Sequence, residues 1–239
     1  MFRKRGGPKH VRSGDAPRSA ALEQSMTPET EPATPEHGPY DARVAPQGVN
    51  RLDFGSLRIP AVEGVEVRVQ ADPDGAVAEI VLVDGESALQ LGVFAAPRTD
   101  GIWNEVRDEI ALAMTADGVR AREIAGPYGI ELTADVTTPA GPATVRFVGV
   151  DGPRWMVRAL YQGPAAADPH YRGVLADALQ GLVVVRDDEA RPPREPLPLR
   201  LPGEMAEQAQ AAAREQLAQQ EAQARGGQQP PENGRSARN

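Results

Sequence analysis

The side chains in this sequence that could do chemistry are few and far apart. Cysteine is absent from all 239 residues, which removes thiolate nucleophiles, disulfides and thiolate metal sites and leaves the compartment open. The histidines are His10, His37 and His170, and the first two stand in segments with no packing pattern. A zinc site of several histidines would need those segments to fold back onto the middle of the chain, so no metal is expected. No phosphate-cradling glycine loop, serine elbow, pair of metal histidines or calcium loop occurs, and no cofactor is expected either. Asp108 and Glu109 adjoin, but neighbours on a helix point about 100° apart, and the stretch reads as a solvated helix face. His170 follows Asp168 and Pro169 at the start of a predicted helix, where a lone histidine solvates or packs near the terminus. No residue is assigned a catalytic role.

Two stretches are candidates for contact instead. Asp151-Gly152-Pro153-Arg154-Trp155 joins two predicted strands; as structure it is a hairpin turn with Trp155 packed on a helix. As function it is a contact loop of Asp151, Arg154 and Trp155, because Arg and Trp are the residues that interfaces use most as anchors. The run Pro192 to Pro202 is dense in proline, which excludes helix and ladder, so it is expected to be polyproline-like. Its Leu197, Leu199 and Leu201 are free to lie along a groove of this domain or of a partner. Strapping to its own domain is preferred, since three exposed leucines would be sticky.

The elements that position these groups follow from hydropathy patterning. Residues 1–48 and 204–239 are poor in aliphatic side chains and cannot bury enough surface to offset the entropy of ordering their backbone. They read as a tail that is basic at its start and as an Ala/Gln/Glu-rich, partly helical tail. Residues 49–186 form the domain, and residues 187–203 an extended Pro/Leu-rich segment packed on or near it. Within the domain Leu52, Phe54, Leu57 and Ile59 alternate with polar residues until Pro60. Three further strands, near 65–69, 77–83 and 88–94, are separated by turns at residues 71–75 and at Asp84-Gly85. A helix follows with Ile102, Val106, Ile110, Ala113 and Met114 at three- and four-residue spacing. Four strands near 119–124, 130–136, 144–150 and 155–162 make a second meander. A second helix is expected to open at Asp168-Pro169 and carry Tyr171, Val174, Leu175, Ala178 and Leu179, before a short apolar segment, Leu182 to Val185.

The fold class is therefore α+β, a largely antiparallel sheet of about seven strands with two packed helices and disordered tails. The element order is similar in pattern to the α/β/α sandwich of PsbP-like and Mog-like proteins, folds that mostly serve as binding or assembly modules. The runs Leu52 to Pro60, Ser87 to Leu91, Phe94 to Arg98, Trp103 to Arg107, Gly149 to Trp155 and Pro196 to Pro202 resemble an uncharacterised actinobacterial family, domain of unknown function 3710. The resemblance covers Arg51 to Pro202 and implies no activity and no catalytic residues.

Charge narrows the partners. Residues 1–20 carry six Arg or Lys against one Asp, while residues 51–186 carry twelve Arg against nineteen acids. An acidic domain repels a phosphate backbone, so nucleic-acid binding, disfavoured here, would rest on the short basic arm. No apolar run approaches the ~18 residues of a membrane-spanning helix, and no apolar stretch of a secretory signal follows the basic start. The expectation is a cytoplasmic, non-catalytic binding or protein-interaction module, its partner unknown. The alternatives are an enzyme with a carboxylate and arginine site in a cleft, and a nucleic-acid-associated factor acting through the basic arm.

Overall fold

The computed structural model describes residues 37–71, 77–139, 141–203, 205–207 and 214. The basic arm, the turn at residues 72–76 and most of the Ala/Gln/Glu-rich tail lie outside the described residues. In chain order the elements are β1 (Tyr40–Asp41), β2 (Arg51–Asp53), β3 (Leu57–Pro60), β4 (Glu66–Ala71), β5 (Val77–Asp84), β6 (Ser87–Ala95), α1 (Trp103–Ala116), β7 (Ala121–Gly126), β8 (Gly129–Thr138), β9 (Gly141–Gly152), β10 (Trp155–Gln162), α2 (Pro164–Ala167), α3 (Val174–Gln180) and β11 (Val183–Val184).

The two meanders predicted from alternation join into one antiparallel seven-stranded sheet, ordered β4-β5-β6-β10-β9-β8-β7. The seam is β6 against β10, in register from Trp155 opposite Ala95 to Gln162 opposite Ala88. Because side chains alternate along a strand, this register puts Ile80, Leu82, Leu89, Leu91, Val93, Val148, Val157, Ala159 and Tyr161 on one face. That face forms the core with Leu175, Ala178 and Leu179 of α3, Ala165 and Ala166 of α2, and Phe54, Leu57, Ile59 and Val184. The last four belong to or adjoin a second, four-stranded sheet, ordered β1-β11-β3-β2, in which β1 runs parallel to β11.

On the opposite face α1 covers only the β7–β9 side. Trp103 is its one buried residue, and its indole lies so close over Gly149 that a Cβ there would come within 2.0 Å of the ring. The Trp103 indole N–H donates to the Ile130 carbonyl at 2.8 Å. Among the described residues no helix lies on the β4, β5, β6 and β10 side of that face, and there the polar-parity residues Glu79, Gln90 and Arg158 stand.

Three features differ from the sequence reading. The fold begins before residue 49: Tyr40 and Asp41 are buried and pair with Val183 and Val184, since a two-residue strand has no periodicity to detect. The helix expected from Asp168 is split. α2 precedes it with Pro164 at its first turn, and Asp168 ends that helix in an extended conformation. Its carboxylate accepts the His170 backbone N–H at 2.8 Å and its carbonyl the Tyr171 N–H at 3.1 Å, a single turn that does not continue as helix; α3 opens only at Val174, after an extended Gly173. Finally, Arg51 to Pro60 is a hairpin, not one strand, closed where Gly55 adopts a φ of 86° and donates its N–H to Asp53 at 2.8 Å. Among the described residues no helix is long and apolar enough to cross a membrane.

Candidate functional site

The seven-stranded sheet has a fork. β5 and β6 pair from Asp84 opposite Ser87 to Ile80 opposite Leu91; beyond that β5 leaves, and Val77 meets Leu199 instead. The Pro/Leu segment enters the opening as a strap. Arg194 N–H donates to the Ala95 carbonyl at 2.7 Å, Ala95 N–H to the Glu195 carbonyl at 2.8 Å, and Leu197 N–H to the Val93 carbonyl at 2.9 Å. Farther on, Ser56 N–H donates to the Pro198 carbonyl at 3.2 Å and Arg200 N–H to the Phe54 carbonyl at 2.9 Å. Pro196 and Pro198 have no N–H to satisfy, so the prolines cost the strap no ladder bond it needs.

Above the strap the fork leaves a notch of about 430 Å³, walled by Glu79, Gly92, Phe94, Arg158, Leu197 and Leu199. Two polar side chains line it, Glu79 and Arg158, and Gln90 is bound to the first. Arg158 approaches one Glu79 carboxylate oxygen at 3.4 Å, and the Gln90 amide donates to the other. The Arg158 guanidinium lies 5.2 Å from the centre of the Phe94 ring. Gly92, directly opposite Arg158, makes this stack possible: a Cβ there would stand 3.0 Å from the Phe94 ring. Arg158 and Glu79 are 31% and 27% exposed, so their attraction is screened and a ligand can compete for either.

On the core face lies a second polar group of a different kind. Register places Thr133, Arg146 and Tyr161 side by side on three neighbouring strands. Arg146 donates to one oxygen of Glu131 at 2.7 Å and to the Ala165 carbonyl of α2 at 3.1 Å, with its guanidinium 4.4 Å from the Tyr161 ring centre. The pair is buried, with side-chain exposures of 4% and 1%. Burial pushes the Glu131 carboxyl up, against the pull of Arg146 and the Tyr128 backbone amide; burial also pushes the Tyr128 and Tyr161 hydroxyls up. Glu131 Oε1, Tyr128 Oη and Arg146 Nε have no hydrogen-bond partner. Glu131, Tyr128 and Arg146 line a chamber of about 20 Å³, outside which a cleft of about 230 Å³ is lined, among the described residues, by His37, Pro127, Tyr128 and Gln180.

The three contact-loop residues have different surroundings: Asp151 is exposed, Arg154 partly exposed and Trp155 buried. Asp151 accepts the backbone N–H groups of Ile102 at 2.9 Å and Trp103 at 3.2 Å, and so caps α1 from the end of β9. Trp155 is 2% exposed and donates its indole N–H to Asp41 at 3.2 Å, on β1 and not on a helix. Arg154, with a φ of 66°, faces outward toward Asp188 at 3.8 Å. Leu197 is buried in the core; Leu199 and Leu201 are half-buried, and Leu199 is a wall of the notch.

The sequence reading missed Glu79, Gln90, Phe94 and Arg158, whose parity says only that they face away from the core; their meeting depends on strand register. Arg146 did leave a signal, since it shares parity with Val148 and Val150 and is a charge on an apolar face. Among the described residues no group of three His, Asp or Glu could hold a metal ion.

No curated protein and no solved structure matches this chain. Residues 38–208 match the model of a family described as Protein of unknown function (DUF3710), from just before β1 to just beyond the strap. The match takes in both sheets, all three helices named above and the strap, and on it the chain belongs to the DUF3710 family.

Proposed function

We propose that this protein is a non-catalytic binding module of the cytoplasm that holds a small ligand in the notch between β5, β6 and the strap. The observation that carries the reading is the convergence of Glu79, Gln90 and Arg158 beside the Phe94 ring, over an apolar floor of Val93, Leu197 and Leu199. Glu79 accepts, Arg158 donates, and the ring offers a flat apolar surface. That set suits a small planar neutral molecule carrying an N–H next to a carbonyl, with its edge on the two charged groups and its face on Phe94. Among the described residues the wall holds no serine, threonine, lysine or histidine, and Glu79 is engaged by two partners, which favours binding over turnover.

Within this reading the strap belongs to the site, with Leu199 as its wall. A protein partner at the β9–β10 turn would meet the exposed Asp151 and the partly exposed Arg154, because Trp155 is buried with its indole N–H on Asp41.

The test is ligand-observed NMR on the full chain with uracil, hypoxanthine and nicotinamide as probes, repeated on Arg158→Ala and Phe94→Ala. Binding of a probe that weakens at least tenfold in both variants is the expected result. Failure of all three probes would overturn the notch as the site, and conversion of a bound probe to product would replace the binding module by the enzyme.

A further inference from the structure

We infer that the chamber between Glu131, Arg146 and Tyr128 is a second binding site, which takes one hydroxyl of a small neutral polyol or sugar whose remainder lies in the cleft at His37, Pro127 and Gln180. The inference is independent of the notch, which lies on the other face of the sheet.

The chemistry is read from what the buried groups lack. A buried polar atom without a partner is costly, and native folds leave few. Here the three residues that carry such atoms line one small space: Glu131, whose Oε1 accepts; Tyr128, whose Oη both donates and accepts; and Arg146, whose Nε donates. Only a ligand group able to donate and accept at once satisfies Glu131 and its neighbours together, and a hydroxyl is the smallest that does. The chamber of about 20 Å³ admits one water-sized group, which a hydroxyl is and a carboxylate or guanidinium is not.

Charge sets the second limit. Glu131 and Arg146 neutralise each other at 2.7 Å inside a buried site. An ionic ligand would have to be desolvated beside an already balanced pair, with a like charge on one side of it. A neutral ligand carries no such cost.

Shape sets the third. The inner chamber and the outer cleft share Pro127, Tyr128 and Gln180 as walls, so the Tyr128 side chain divides a water-sized pocket from a space of about 230 Å³ that opens outward. Pro127 and the Tyr128 ring, which line both spaces, present apolar surface to the C–H groups of a ring in the outer one. A closed structural water site would need the inner chamber alone; the outer space and the tyrosine between them fit a molecule that reaches in from outside.

The experiment uses the full chain with glycerol, myo-inositol and D-glucose as neutral probes and D-glucosamine and D-glucuronate as charged ones, read by saturation-transfer NMR and by titration of chemical shifts. At least one neutral probe binds, and its affinity falls about tenfold in Tyr128→Phe, which keeps the ring and removes only the hydroxyl. The charged probes bind more weakly than the neutral one, and Arg158→Ala in the notch leaves all values unchanged. Tyr128→Phe is the deciding variant because it leaves the ion pair intact; Glu131→Gln is added to test the acceptor. Binding of no neutral probe, unchanged affinity in Tyr128→Phe, or equal binding of charged and neutral probes would each overturn the inference.

Discussion

Separating the partners of the buried ion pair is the sharpest stability test. Glu131 and Arg146 sit at 1% and 4% side-chain exposure and 2.7 Å apart, on β8 and β9 beneath α2. Replacing Arg146 with Met leaves a carboxylate with no cation in a buried site, at a cost of about 3–5 kcal/mol. Replacing Glu131 with Leu strands the guanidinium, but Arg146 keeps the Ala165 carbonyl and the face of Tyr161, so the loss falls toward the lower end of that range. Making both changes removes the desolvation of two ions and puts apolar groups of similar size in their place. The double variant therefore returns to within about 1 kcal/mol of the parent or exceeds it by up to ~4 kcal/mol. Urea unfolding followed by tryptophan emission measures all four proteins, and Trp103 is a local reporter because its indole N–H is bound to Ile130, next to Glu131. Single variants costing under about 1 kcal/mol, or effects that simply add in the double variant, would refute this account of the pair. The pH dependence has a defined sign. Burial raises the Glu131 carboxyl in the folded state above its unfolded value, so the unfolded chain ionises first as pH rises. The Glu131 contribution to stability thus declines between the unfolded and the folded pKa, and Glu131→Leu abolishes that decline.

Asp41 gives the opposite pH response: despite the upward push of burial, hydrogen bonds from Arg43 and from the Trp155 indole hold its carboxyl below the ordinary range. Its contribution is present above the unfolded value and is lost as pH falls through the folded one, so urea midpoints of Asp41→Asn fall less on acidification than those of the parent. Asp151→Ala removes the acceptor for two backbone N–H groups at the start of α1 and costs about 0.5–2 kcal/mol by thermal unfolding, with faster amide exchange in the first turn of α1. Leu197→Ala vacates a fully packed core position and costs about 2–5 kcal/mol by urea unfolding, whereas Leu201→Ala, at a half-buried position, stays below about 1 kcal/mol.

What was legible in the sequence was whatever repeats at a short period. Six of the seven strands of the large sheet hold two or more apolar residues at spacing two, β7 being the exception, and their turns carry glycine or proline, so both meanders and α1 stand out. The four-stranded sheet does not, because Tyr40–Asp41 and Val183–Val184 are too short to show a period and find each other across more than a hundred residues. The late start of the last helix was not legible because Asp168 makes the bond to the His170 N–H that a capping residue makes, yet one turn later the chain extends at Gly173 before α3 begins. The bonds that tie Asp151 and Trp155 into the fold were not legible for a related reason. Their partners, the start of α1 and β1, lie 48 and 114 residues away in sequence. Arg146 was the exception among the site residues, a charge at apolar parity that a stricter reading of β9 would have questioned.

The strap explains why a binding notch stands in the middle of a sheet at all. Had β5 continued alongside β6 to Ala95, the outer face there would be an ordinary ladder with no depression. Because β5 departs beyond Ile80, the main-chain groups of Val93 and Ala95 need other partners, and the strap supplies them from a hundred residues farther along the chain. It does so with a proline-rich segment that cannot extend the ladder as a full strand, so it meets β6 through three backbone bonds and then crosses to Phe54 and Ser56. The gap is thereby sealed from the core side by Leu197 while its outer side stays open above Phe94. Sealing and opening are two results of one substitution of partners: a true strand would close both sides, and an empty fork would expose the core. This ties the integrity of the site to the strap, so the strap and the notch stand or fall together, and a chain cut before Arg194 would lose the floor of the site together with the seal on its core.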